Sequence, residues 1–360
     1  MSVLITDCTI RDGGYLLKKN AKPEFVKEIM KGLTDAGIDF VETGFLQTNV
    51  TGDSLVYKNS RDVRKYLPKD KKTTQFLGFC DNSRYSLENL DDCDGESFKW
   101  LRISFAQHEI DHSLEFCKGA MKKGYLVQFN PMDSLSYTDE ARAFLIERVN
   151  KVKPASFSIV DTFGAMDMLD LVHIFKQVDK LLDKDIKVGL HSHDNLGLSG
   201  ALAERMIELA EETDRDIIVD GSLFGMGRGA GNAKTELLAD YINKHNDGHY
   251  DLQKLLLTID KYIIPILGEI HWGYDLPMYV CGTKHAHVDN VYHLKHAFNC
   301  TADEMYDIIN MLPPQQRTRY GVGYSKTNFF ALDEIYSEYK NKNEINDFLN
   351  SNKKSNPQLC

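Results

Sequence analysis

The sequence predicts a (β/α)8 TIM barrel carrying a helical C-terminal domain. Three observations predict it. Eight short β-branched or aromatic runs alternate with longer amphipathic stretches through the first 245 residues. The acids, histidines and one arginine collect where those runs end. Beyond Lys244 the alternation stops and helical periodicity takes over.

In chain order the strand candidates are 3–6, 39–43, 75–79, 100–104, 126–130, 156–161, 186–191 and 217–222. Between them Val26, Ile29, Met30 and Leu33 make one apolar helix face, and Met168, Leu171, Val172, Phe175, Val178 and Leu182 make another. Gly37, Gly124 and the Pro154 region stand where helices should stop. Asp251–Leu267 reads as helix, Trp272–Lys284 as an aromatic loop, and Asn290–Phe298, Ala302–Leu312 and Ala331–Tyr339 as helices. The expected domains are therefore 1–245 (barrel), 246–340 (helical) and 341–360, a tail poor in core residues and expected to fray.

With 42% hydrophobic and 27% charged residues the chain reads as an ordinary globular enzyme, and its net charge of −10 argues against generic polyanion binding. No apolar run is long enough to span a bilayer, so no membrane partner is expected. Seven scattered cysteines without a Cys-x-x-Cys pair point to a reducing, cytoplasmic setting rather than a disulfide framework.

Three segments bear chemistry. His191-Ser192-His193 closes the seventh run, and imidazoles at i and i+2 on a strand share a face suited to one divalent cation. Two idle histidines explain the pair equally well when it is taken alone. Arg11-Asp12-Gly13-Gly14-Tyr15 follows the first run and reads as a loop whose glycines admit a small anion while Asp12 serves a cation; a surface ion pair on a turn is the rival. Gly225–Asn232, read as opening a helix after the eighth run, lacks the context of a nucleotide-binding fingerprint, and Asn232 offers an amide oxygen toward the metal region. His285, His287, His293 and His296 are weighed as packed or solvated histidines, Cys80 as packed, and Arg102 as a salt-bridge partner or a residue reaching the site.

Together with Val41-Glu42-Thr43-Gly44 and Asp161-Thr162-Phe163-Gly164-Ala165-Met166, these segments resemble the DRE-TIM metallolyases, the HMG-CoA-lyase-like barrels, and most of all their 4-hydroxy-2-oxovalerate aldolase branch. That resemblance implies a divalent-metal-dependent carbon–carbon lyase acting on a 2-oxo acid and an aldehyde. It implies Asp12, His191, His193 and Asn232 at the metal, Mn²⁺ or Mg²⁺ with Zn²⁺ also compatible. Arg11 would stabilise the enolate, Glu42 would orient Arg11 or handle a proton, and Thr162 would meet the substrate carboxylate. Tyr15 stands where the aldolase pattern carries a proton-transferring histidine, and a phenol is a poor base at neutral pH but an able donor. The rivals are a Claisen-type acyl-CoA condensing transferase on the same scaffold and, more remotely, a metal-dependent hydrolase. A homodimer and an aldehyde dehydrogenase are the partners the resemblance admits; nucleic acid is not expected.

Overall fold

The computed structural model describes residues 1–17, 21–50, 55–318 and 332–343. Eight parallel strands form a closed ring: β1 (Val3–Asp7), β2 (Phe40–Leu46), β3 (Gln75–Asp81), β4 (Trp100–Phe105), β5 (Leu126–Pro131), β6 (Ser156–Asp161), β7 (Lys187–Ser192) and β8 (Ile217–Gly221). Each pairs with its successor, and β8 pairs with β1 in the register Val3 to Ile217, Thr6 to Asp220. The expected strands are thus all present, with ends shifted by at most three residues. A two-residue strand, Val56–Tyr57, adds to the outer end of β2.

Helices cover the outside because each feeds an apolar stripe to the strands. In Pro23–Asp35 the stripe is Val26, Ile29, Met30 and Leu33, all fully buried; in Met168–Leu181 it is Leu171, Ile174, Phe175 and Val178. A proline at the first turn begins the former, and an Asp167/Asp170 capping box begins the latter. Strand β2 is bulged: Glu42 opposes Leu77 but Phe45 opposes Phe79, so one extra residue is absorbed at Thr43–Gly44. Gly44 takes φ +135, and a Cβ there would lie 2.4 Å from the Leu55 carbonyl oxygen, so only glycine fits.

Two compact units result, Met1–Tyr274 and Asp275–Cys360. Residues 246–274, grouped with the C-terminal helices by their rhythm, fall in the first unit. Helix Leu252–Thr258 explains this, because it lies so close to Pro23–Asp35 that a Cβ on Gly32 would meet Thr258 Oγ1 at 2.1 Å. Tyr262 donates to Glu28 at 2.8 Å, and Tyr250 to Asp39 at 2.5 Å. The second unit holds helices Leu276–Lys284, Val288–Phe298 and Ala302–Met311, with further helix over 332–343. Leu276–Lys284 corrects the expected aromatic loop: Asp275 caps it by accepting from Met278 N, and Pro277 occupies its first turn. Ala331 and the tail beyond residue 343 lie outside the described residues. No described helix is long and apolar enough to cross a membrane.

Candidate metal centre

The segment after β1 is a helix, Thr9–Leu16, and not the expected loop. Only Cys8 separates it from the strand, and Asp12 N already bonds to the Cys8 carbonyl at 2.7 Å. Consecutive helical residues diverge by about 100° around the axis, so Arg11 and Asp12 serve different neighbours. Arg11 Nε donates to Glu42 Oε2 at 2.7 Å, while its Nη1 steadies Asp12 Oδ1 at 2.8 Å. Asp12 Oδ2 accepts from Asn232 Nδ2 at 2.5 Å and lies 3.7 Å from His193 Nδ1. Gly13 and Gly14 cradle no anion: added Cβ atoms would press on Met226 at 3.0 Å and Phe45 at 3.1 Å. They let the helix lie against its neighbours.

His191 is the penultimate residue of β7 and His193 lies just past its end, their rings 5.3 Å apart. His191 Nδ1 is 2.9 Å from Asp220 Oδ2, and His193 Nδ1 is 3.2 Å from the Gly231 carbonyl. With Nδ1 engaged, His191 keeps Nε2 for a ligand role. One ligand atom from each of Asp12, His191 and His193 falls within 4.8 Å of the others, all buried. Asn232 bridges to His193 through its backbone, and its Oδ1 is buried without a hydrogen-bond partner. A buried amide oxygen left unpaired is costly, and beside two imidazoles and a carboxylate it completes an oxygen–nitrogen donor set that suits a divalent cation.

The glycine-rich segment does not open a helix; a short 3-10 turn at Leu223–Gly225 precedes it, and the next helix begins at Thr235. Its glycines allow close approach. A Cβ on Gly227 would be 2.2 Å from Asn232 Nδ2, and one on Gly231, at φ +88, would be 1.8 Å from the Gly225 oxygen.

Charge is unevenly distributed here. Burial would raise the Asp12 carboxyl, yet Arg11 and the nearby imidazoles hold it well below the ordinary carboxylate range. Burial lowers the His193 imidazole to about 3, which keeps it neutral and able to ligate at neutral pH. Tyr15 is pushed up, chiefly by burial; its ring meets Phe45 edge-on, with the Arg228 guanidinium 5.5 Å away. A raised phenol stays protonated.

Of the remaining expected residues, Thr162 Oγ1 accepts from Asp133 N at 2.8 Å, and its carbonyl accepts from Arg228 at 3.2 Å. Asp161 caps the following turn by accepting from Ala165 N and Met166 N. Cys80 is buried in the core. His293 pairs with Asp333 at 2.7 Å, and His287 Nδ1 caps a helix at Asp289 N. Three groups escaped assignment from sequence: Asp220, Gln128 and the bridging role of Arg102. A charged residue between Leu101 and Ile103 in an apolar strand was the signal for the last. At the same end of the barrel, a cavity of about 940 Å³ opens beside the loops after β2 and β3, lined by Gln47, Thr48, Asn49, Arg84, Tyr85 and His112 among others.

Comparison with known proteins agrees with this geometry. The HMGL-like family profile matches residues 100–261. A 4-hydroxy-2-oxovalerate aldolase from Thermomicrobium roseum is 28% identical over 274 residues, covering 73% of each chain. An oxaloacetate decarboxylase from Mycobacterium tuberculosis is 24% identical over 275 residues, 76% of this chain and 79% of that one. Among solved structures, the N-terminal domain of a candidate aldolase from Bacteroides vulgatus superposes with a TM-score of 0.69 at 25% identity, covering 83% of this chain and 98% of the other. The HMG-CoA lyase of Brucella melitensis gives 0.58 at 16% identity, covering 71% and 96%, which speaks for the fold alone. The family profile, the relatives and the barrel agree: residues 100–261 match the HMGL-like family, and the chain is similar to aldolases of that barrel type.

Proposed function

We propose that residues 1–245 form a divalent-metal-dependent aldolase that makes or breaks a carbon–carbon bond beside the carbonyl of a 2-oxo acid such as pyruvate, with an aldehyde as the other partner. One observation carries this reading. A single helical turn sends Asp12 to the His191, His193 and Asn232 cluster and keeps Arg11 beside it, braced by Glu42.

Asp12, His191, His193 and Asn232 Oδ1 would hold Mn²⁺ or Mg²⁺, with Zn²⁺ compatible. A divalent cation there supplies Lewis-acid polarisation of a bound carbonyl. The chain's own residues do the rest. Arg11, its guanidinium fixed by Glu42 at 2.7 Å, meets negative charge developing on the enolate oxygen. Thr162 accepts the Asp133 amide and so keeps its hydroxyl hydrogen for the substrate carboxylate. Tyr15, held protonated, donates toward the aldehyde oxygen and does not act as a base. The polar cavity beside β2 and β3 supports an aldehyde larger than a two-carbon unit and bearing hydroxyls.

The test is a product assay. With Mn²⁺, the protein should release pyruvate from 4-hydroxy-2-oxo acids, faster for those carrying hydroxylated tails. Free thiol released from an acyl-CoA would favour the condensing transferase instead, and carbon dioxide from oxaloacetate without any aldehyde activity would favour a decarboxylase. Light scattering checks the homodimer included in this reading, and co-purification checks an aldehyde dehydrogenase partner.

A further inference from the structure

Arg102 lies midway along β4 with 2% of its surface exposed, yet every acceptor it uses belongs to a side chain. Nη1 and Nη2 reach Asp220 Oδ2 and Oδ1 at 2.5 and 2.9 Å. Nε and Nη2 reach Gln128 Oε1 at 3.1 and 2.8 Å. Nε is also 3.4 Å from Glu42 Oε1. The partners continue outward on both sides: Asp220 Oδ2 holds His191 Nδ1 at 2.9 Å, and Glu42 Oε2 holds Arg11 Nε at 2.7 Å. Hydrogen bonds, with one 3.4 Å ion contact at Arg102–Glu42 as the weakest link, therefore join His191, Asp220, Arg102, Glu42 and Arg11 across the barrel.

Cys8, His191 and Asp220 also form a buried three-donor cluster of the kind that holds a metal. It is closed to a second ion. Arg102 Nη1, 2.5 Å from Asp220 and 3.8 Å from Cys8 Sγ, is the cation already resident there.

We infer that Arg102 and Asp220 are positioning residues that set His191 and Arg11 in one rigid frame. Asp220 takes the Nδ1 hydrogen of His191 and so fixes the tautomer that presents Nε2 to the metal side. Arg102 fixes Asp220 through a two-point fork and, through Glu42, the orientation of Arg11. Both oxygens of Asp220 accept, so an amide at this position must turn an N–H against either Arg102 or His191. Lysine in place of Arg102 is a single point charge and cannot serve Asp220, Gln128 and Glu42 together.

The inference rests on Asp12, His191 and His193 being the metal ligands, and the experiment separates the two. Free Mn²⁺ is measured by electron paramagnetic resonance on the full chain as wild type, Asp12→Ala, Asp220→Asn and Arg102→Lys, with circular dichroism melts recording folding. The wild type should bind Mn²⁺ and Asp12→Ala should not. Asp220→Asn and Arg102→Lys should bind about 10- to 100-fold more weakly, with altered nitrogen couplings to the bound ion, and Arg102→Lys should also lose kcat at saturating Mn²⁺. Wild-type affinity and couplings in both folded variants, with binding lost in Asp12→Ala, would overturn the inference and leave the metal site standing. A wild type that binds no divalent ion overturns both. If Arg102→Lys does not fold, Asp220→Asn alone decides.

Discussion

Two arginines are almost fully buried, one midway along a barrel strand and one just before another, and they are used differently. Arg102, 2% exposed, spends its donors on the side chains of Asp220, Gln128 and Glu42. Arg215, 1% exposed just before β8, spends most of its donors on backbone: the carbonyls of Asp179, Leu182, Asp183 and Ile186, with the Asp179 carboxylate at 2.7 Å. Those carbonyls end the Met168–Leu181 helix and its connection to β7, so Arg215 staples a helix terminus that lacks donors of its own. Burial alone does not mark a functional charge. What differs is whether the acceptors can pass geometry on to the Asp12, His191 and His193 cluster, and of these two arginines Arg102 has such acceptors.

The largest effect should come from the site that Arg102 serves. Asp12→Ala should remove bound metal and lower turnover at least about a thousandfold, roughly 4 kcal/mol of barrel-mouth stabilisation; elemental analysis with a pyruvate assay checks it, and full activity without metal would sink the metal reading. Arg215→Met is the reciprocal case. It should cost about 1–3 kcal/mol of stability by taking a donor from the carbonyls of Asp179, Leu182 and Ile186, the Asp179 carboxylate keeping Lys184 at 2.9 Å, while kcat per folded molecule stays unchanged. Denaturant melts beside active-site titration decide, and a kcat loss there would erase the distinction between the two arginines.

A third effect contrasts two buried carboxylates. Asp220, although burial opposes it, is held below its ordinary range by Arg102 and His191. Asp7 faces only neutral donors, Thr9 N at 2.9 Å and Thr235 Oγ1 at 2.6 Å, and burial pushes it up to about 6. A raised acid favours the folded state only when protonated, so its ionisation penalty is absent below the unfolded value near 4 and is fully present above about 6. Asp7→Asn keeps both contacts and should leave stability unchanged in acid but raise it by up to about 3 kcal/mol above pH 6, visible as a pH-dependent gain in Tm. Smallest is Tyr15→Phe. Losing a proton donor should slow turnover about tenfold or more with little change in KM, and an unchanged rate would reduce Tyr15 to packing.

Much of the barrel was legible because its signal is local. Each strand is a β-branched run closed by a polar residue, and parallel strands buried on both faces leave little else to confuse with them. The grouping of Asp12, His191 and His193 was legible because these residues lie at or just past strand ends, which the barrel brings together. What stayed hidden depends on side-chain reach across the barrel. Nothing in the sequence near Arg102 signals that Asp220, 118 positions later, is its partner at 2.5 Å. The helix at Thr9–Leu16 was misread for a related reason: two adjacent glycines favour a turn by local propensity, but close packing on Met226 and Phe45 makes them an advantage in a helix.

That helix has a consequence for how the scaffold can change over evolution or in the laboratory. Because it leaves β1 after one residue, an insertion between Asp7 and Arg11 would rotate Arg11 and Asp12 off their partners together. Novelty must therefore enter elsewhere. The loops after β2 and β3, which line the polar cavity and carry none of Asp12, His191, His193 or Asn232, are where length and sequence can be grafted or randomised without moving that cluster.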